Sequence, residues 1–301
     1  MKTASKGIWQ PIALSESIGS EVPIRVCYEA KEVALFRDGI GKVRALKDRC
    51  PHRRVPLSLG KVIEGELRCA YHGWTFDGSS GACTQIPNLS DEEKVPSRYK
   101  VDAYSVHEDN GFVFLWSGQN PPSKDGDKPV FAANEDLPLY GNVIVPLATS
   151  AYRLAMLDGP ETLIGIHNIG FTDFFLGDPV TRDGIIQVER NAGWIRRGKP
   201  PSKWATDYPF ILRTISSFED GTIIHQLFDD KEQIVAQIYM SIFPGTRSTT
   251  NIVWRGNVNF NHKDAGKISR TKAPIDIFSH LDGEAIANLL VGPSSQFQEA
   301  V

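Results

Sequence analysis

Cys50-Pro51-His52 is followed, after sixteen intervening residues, by Cys69-Ala70-Tyr71-His72. Each segment offers one thiol and one imidazole within the reach of a single loop. Thiolates and neutral imidazoles are metal ligands. One of each per loop suits a two-iron, two-sulfide centre in which two cysteines hold one iron and two histidines hold the other. Exchanging anionic sulfur for neutral nitrogen stabilises the reduced state and raises the potential. Pro51 stiffens the first loop, and Gly73, next to His72, permits a tight backbone there. Two other readings of these residues stand beside this one: a tetrahedral zinc site, or two unrelated loops with buried cysteines. Zinc fingers usually pair Cys with Cys and His with His, which this spacing does not do.

The elements that must hold these loops read as short strands. Val33-Ala34-Leu35-Phe36, the turn Arg37-Asp38-Gly39 and Lys42-Val43-Arg44-Ala45-Leu46 form one such pattern, and Asp77-Gly78-Ser79-Ser80-Gly81 is a turn after the second loop. No helical period stands out across residues 8–118, so an antiparallel β-domain is predicted there, with a first domain bounded at 1–118. The polar, Pro/Gly-rich run from Gly118 to Asp127 opens a connecting segment, 119–150. A second domain, 151–301, is predicted to be α+β. Tyr152 to Gly170 reads as a helix interrupted at Gly159-Pro160. Apolar or alternating strands follow at 211–216, 222–227, 235–240 and 251–258, and Ile277 to Leu290 reads as a closing helix. If the alternation at 222–227 holds, His225 points inward. The basic loop Arg196 to Lys203 reads as a solvated turn. Asp158-Gly159-Pro160-Glu161 also has the form of a capping box, with Asp158 as N-cap, Pro160 in the first turn, a helix carrying Leu163, Ile164 and Ile166, and His167 near its end.

The chain has 301 residues, room for one large or two ordinary domains. Its 41% hydrophobic and 23% charged content is that of a soluble globular protein. A formal charge of −3 gives no overall attraction to nucleic acid or anionic lipid. No run reaches transmembrane length and Met1 to Lys6 leads into no signal-peptide core, so a cytoplasmic protein without membrane partners is expected. Cys27 and Cys83 are left over by the metal motif; a disulfide between them is possible by count, and free buried thiols suit a reducing compartment. No Gly-x-Gly-x-x-Gly supports a flavin or nicotinamide site.

Trp9-Gln10-Pro11-Ile12-Ala13-Leu14, Arg49-Cys50-Pro51-His52-Arg53, Pro56-Leu57-Ser58-Leu59-Gly60, Arg68-Cys69-Ala70-Tyr71-His72-Gly73-Trp74 and Gly111-Phe112-Val113-Phe114-Leu115-Trp116 together resemble the Rieske non-haem iron oxygenases, in particular their terminal, alpha-type subunit. The resemblance is close over about residues 8–118 and scattered beyond. It implies a Rieske [2Fe–2S] cluster on Cys50, His52, Cys69 and His72, and a catalytic-type second domain with a helix laid over an antiparallel sheet. It also implies a mononuclear Fe(II) held by two histidines and a carboxylate, with open positions for O2.

The usual Asp-x2-His-x4-His of that family is altered here. In one register Asp158 stands on the motif's Asp, Glu161 on its first His and His167 one residue late for the second. In another, Glu161 stands on the Asp, and Ile164 and Ile169 replace both histidines. Asp282, in Phe278-Ser279-His280-Leu281-Asp282, resembles the family's later carboxylate. The resemblance therefore implies Glu161, His167 and Asp282 as iron ligands, with Asp158 as the catalytic bridging carboxylate to a neighbouring subunit's cluster.

The function so implied is an oxygenase component, monooxygenase or dioxygenase. It takes electrons from a ferredoxin or flavin reductase and uses O2 to hydroxylate or demethylate a small organic substrate, in a homotrimer or a mixed ring with a related subunit. The alternative is an electron-relay or structural subunit without an intact mononuclear site, working beside a catalytic partner.

Overall fold

The computed structural model describes residues 7–90, 92–118, 120–122, 137–172, 175–195, 208–268 and 273–278. The chain divides into two compact units. The first is Met1–Val130 with Pro244–Arg247, and the second is Phe131–Phe243 with Ser248–Val301.

The first unit is built of three antiparallel sheets, as the strand-and-turn pattern predicts. Trp9–Leu14, Phe112–Trp116 and Val106–Asp109 form one. Ile24–Tyr28, Lys31–Arg37, Val43–Lys47 and Ala103–Tyr104 form the second. Lys61–Ile63, Glu66–Arg68, Thr75–Phe76 and Cys83–Gln85 form the third, and both metal-motif loops adjoin it. The only helical turns described in this unit are two short 3-10 pieces, Ser15–Ser17 and Leu57–Leu59. Phe36, Leu46, Leu57, Leu67 and Phe76 make a continuous apolar core that also takes in Cys50, Cys69 and Cys83.

The second unit is a ten-stranded antiparallel sheet with a helix against it. In order across the sheet run Leu139–Val145, Thr250–Val258, Ile234–Pro244, Thr222–Asp229, Phe210–Ser217, Ile185–Trp194, Ile169–Phe171, Ile164–Ile166 and Ile275–Ile277; Val180–Arg182 also pairs with Ile185–Trp194. The period-2 pattern is plain in Phe210–Ser217, where Phe210, Leu212, Thr214 and Ser216 are buried and their neighbours are not. The helix Thr149–Asp158 buries Tyr152, Ala155 and Met156 in one core with Ile223, Leu227, Ile238 and Met240 of the sheet. The α+β architecture expected from sequence is present.

Several local expectations are overturned. The helix does not run from Tyr152 to Gly170: it spans Thr149–Asp158, followed by a 3-10 turn, Pro160–Thr162. Pro160 bars its predecessor from helical geometry, and Gly159 leaves the helix at φ −140°, ψ 63°. Asp158 is thus the last helical residue rather than an N-cap, so the capping box is not formed. Leu163, Ile164 and Ile166 do not begin a new helix. Ile164–Ile166 instead pairs with Ile275–Ile277, and Ile169–Phe171 pairs with Ile185–Trp194. His167 and Asn168 form the two-residue turn between these short strands, with Asn168 left-handed at φ 63°. Ile277 is the end of a strand rather than the start of a helix, and 279–290 lies outside the described residues. Leu139–Val145, in the stretch 129–150 whose sequence mixes strand and loop character, is a strand of the second sheet, which agrees with that reading.

Candidate metal centre

The two Cys/His loops share one backbone design. Cys50 N–H donates to Val55 O at 2.9 Å, and Arg54 N–H returns to Cys50 O at 2.9 Å. In the second loop Cys69 N–H donates to Trp74 O at 2.8 Å, and Gly73 N–H returns to Cys69 O at 3.1 Å. The fourth residue after each cysteine is left-handed, with φ 62° at Arg54 and 69° at Gly73. The base of the first loop is fixed by Asp48, whose buried carboxylate accepts from Ser58 N–H at 2.7 Å and Ser58 Oγ–H at 2.6 Å. Gly60 lets the chain pass against the strand that enters the second loop, since a Cβ there would lie 2.1 Å from Arg68 O.

These loops bring the four predicted ligands together as two pairs, thiol beside thiol and imidazole beside imidazole. Cys50 and Cys69 are 2% and 4% exposed, and their thiols lie within hydrogen-bonding reach of each other. The His52 and His72 rings stand 4.6 Å apart at the exposed surface. Trp74 stacks flat on His52 at 4.8 Å and packs on Tyr99, while Tyr71 lies 3.9 Å from His72.

Burial, with the adjacent Cys69 adding to it, pushes the Cys50 thiol up to about 11; the backbone N–H groups of His52 and Arg53 act in the opposite sense by pointing at its sulfur. A metal ion reverses that balance, because a coordinated thiol is deprotonated outright. His52 is held below the usual imidazole range by desolvation, His72 and Arg53, which favours the neutral form a ligand needs. Paired buried thiols, N–H donors aimed at sulfur and two adjacent imidazoles toward solvent fit a [2Fe–2S] cluster with one iron held by sulfur and the other by nitrogen. Cys27 and Cys83 are not joined in a disulfide.

The residues expected around a mononuclear iron are arranged differently. Glu161 is exposed in the 3-10 turn, and the whole strand Ile164–Ile166 separates it from His167 in its hairpin turn. Asp282 lies outside the described residues. Among the described residues of the whole chain, no three His, Cys, Asp or Glu side chains gather where one metal ion could sit; a Rieske-type cluster takes only two protein ligands per iron. Asp158 is half-buried. Burial raises its carboxyl above the ordinary range, opposed by the charge of Arg190.

Sequence reasoning did not pick out Arg190. Only 1% exposed, it donates to Leu157 O, Asp158 O and Thr172 O, so it closes the helix at the end where carbonyls lack partners. His225 is buried, as the alternation of its strand suggested, with Nδ1 2.9 Å from the Thr214 hydroxyl.

Comparison with known proteins agrees with this centre. Residues 8–104 match the family model of the Rieske [2Fe-2S] domain. The chloroplastic protein TIC 55 of Arabidopsis thaliana is 37% identical over 118 residues, covering 39% of this chain and 22% of that protein. The 4beta-methylsterol monooxygenase of Methylococcus capsulatus is 37% identical over 123 residues, covering 40% of this chain and 33% of that one. The matched stretch therefore spans only about a fifth to a third of these relatives. The crystal structure of dicamba monooxygenase bound to dicamba aligns with a TM-score of 0.62 at 25% identity, over 84% of this chain and 76% of that one. No helix among the described residues is long and apolar enough to cross a membrane. The chain carries a Rieske [2Fe–2S] domain at residues 8–104, and its fold is similar to that of dicamba monooxygenase.

Proposed function

We propose that the chain is the oxygenase component of a Rieske-type system. Electrons arrive from a ferredoxin or flavin reductase at the site formed by Cys50, His52, Cys69 and His72, and a small organic molecule is hydroxylated or demethylated with O2. The observation that carries this reading is the matched pair of loops, which buries two thiols and exposes two imidazoles 4.6 Å apart. When bound, a cluster so ligated supplies one-electron transfer at a potential above that of all-thiolate clusters. The chain's own contribution is to orient His52 by the flat stack of Trp74, to aim N–H groups at the Cys50 sulfur, and to keep both imidazoles at the surface where a donor can approach. Within a ring of three subunits, or a mixed ring, Asp158 is the carboxylate proposed to meet a neighbour's cluster histidine.

Glu161, His167 and Asp282 are the proposed ligands of a second iron. One observation favours a second reading, in which the chain relays electrons or completes a ring beside a catalytic partner. The helix that should carry the iron motif ends at Asp158, and strand residues follow. Counting metal and acid-labile sulfide in the purified protein separates the two. A cluster alone gives about two irons and two sulfides per chain, and about three irons support the oxygenase reading. Asp282→Ala should then remove about one iron and leave the cluster's visible absorption unchanged.

A further inference from the structure

The first unit holds a cavity of about 650 Å³ that the cluster does not use. Every residue lining it falls between Tyr28 and Pro121, so it belongs to that unit alone. A volume of this size holds a small organic molecule. One wall is the sheet containing Lys31–Arg37, Val43–Lys47 and Ala103–Tyr104, and the other is the end of Phe112–Trp116 with the chain that follows it.

The lining combines aromatic rings with positive charge. Trp116 and Tyr104 supply the rings, both half-buried. The Trp116 ring is already held in place: Trp9 packs on it at 5.3 Å, and its Nε1–H donates to Asn120 O at 2.6 Å. A side chain fixed beforehand loses little freedom when a ligand binds. Lys31, Lys47 and Arg49 supply three cations. Lys47 pairs with Asp102 at 2.9 Å, and Lys31 lies 3.7 Å from Glu29. The lining acids are occupied too. Glu32 is bonded to Arg25, and Asp48 meets Ser58, with Arg25 at 3.8 Å. Arg49 is the cation left over, exposed and without an acidic partner among the described residues. The hydrogen bond to Asp102 holds the Lys47 ammonium above the ordinary lysine range, and the charge of Arg49 works the other way. One uncompensated guanidinium in a cavity walled by two aromatic rings is complementary to a single negative charge on a flat apolar body. The planar guanidinium fork meets a carboxylate at two points.

We propose that this cavity of the first unit binds a small aromatic monocarboxylate, with its acid group on Arg49 and its ring against Trp116 and Tyr104. The site is separate from the second unit, so the inference goes beyond the oxygenase reading and does not rest on it.

Equilibrium titration of the full, cluster-loaded chain with 4-benzoylbenzoate and its neutral analogue 4-benzoylbenzamide tests it. The two probes share a skeleton and differ by the charge. Wild type should bind the carboxylate about tenfold more tightly. Arg49→Gln should erase that preference. Arg49→Lys, which keeps a charge without the planar fork, should retain part of it. The cluster's visible absorption is recorded on every sample. The benzophenone group also locates the site without any substitution. Irradiating wild type with bound 4-benzoylbenzoate should attach the probe within residues 28–49 or 102–121, and excess benzoate should suppress that label. No binding of the acid, equal affinity for acid and amide in wild type, an unaltered preference in Arg49→Gln with a normal cluster spectrum, or label found only outside those two stretches overturns the proposal. If Arg49→Gln loses its cluster, the labelled positions in wild type decide: label in either stretch upholds the site, and label only elsewhere overturns it.

Discussion

Arg54 and Gly73 are structural equivalents. Each lies four residues after a cluster cysteine, each is left-handed, and each returns its N–H to that cysteine's carbonyl. They differ in surroundings. A Cβ on Gly73 would come within 2.9 Å of the Pro87 ring, while Arg54 already carries its side chain at the exposed edge of the first loop.

The two positions should therefore respond oppositely to substitution. Arg54→Gly relieves a left-handed conformation costing about 1 kcal/mol and should leave cluster content unchanged. Gly73→Ala adds that cost and a contact with Pro87, and should lower both cluster occupancy and the thermal midpoint. Visible absorbance per chain and a melting curve measure both effects. Equal behaviour of the two variants would contradict the equivalence argued here.

Asp48 should matter more than an ordinary strand-end acid. Its buried carboxylate meets both Ser58 N–H and Ser58 Oγ–H across the base of the first loop. Asp48→Ala strands the Ser58 amide and should cost about 1–3 kcal/mol, with faster loss of iron to a chelator. Ser58→Ala removes only the hydroxyl bond and should cost about 1 kcal/mol. Denaturant titration with chelator kinetics gives both numbers, and a larger effect from Ser58→Ala would reverse the assignment.

The metal loops were legible in sequence because each is local: thiol, imidazole and turn residue fall within five positions, so no distant partner is needed to recognise them. The strands at 210–217 and 222–229 were legible from alternation, which also placed His225 inward. The segment after Gly159 was misread because its short apolar run fits a helix or a strand equally well. What decides it is pairing of Ile164–Ile166 with Ile275–Ile277, about a hundred residues away. Arg190 is invisible for a similar reason. A lone arginine in an alternating strand reads as solvent-facing until the fold brings the carbonyls of Leu157 and Asp158 to it.

Asp229 and His262 should make the second unit acid-sensitive. The buried Asp229 carboxylate accepts from His262 Nε2 at 3.0 Å and from the backbone of Lys231 and Gln233. These bonds, His262 foremost, hold its pKa down to about 2 against an ordinary 3.8. A depressed carboxyl stabilises the fold above the unfolded value, and that contribution is lost as pH falls from about 4 toward 2. Unfolding free energy should drop over that window in wild type and change less in Asp229→Asn, which is already destabilised at neutral pH. Parallel slopes in the two proteins would show that another group governs acid unfolding.

The most direct test of the central claim is the electron paramagnetic resonance spectrum of the dithionite-reduced protein, taken with iron and acid-labile sulfide analysis on the same sample. Cys50, His52, Cys69 and His72 as ligands of one [2Fe–2S] centre predict a rhombic signal with average g below the free-electron value, about two sulfides per chain, and loss of the signal in Cys50→Ala. Purified protein that holds zinc, contains no acid-labile sulfide and gives no such signal would contradict the account.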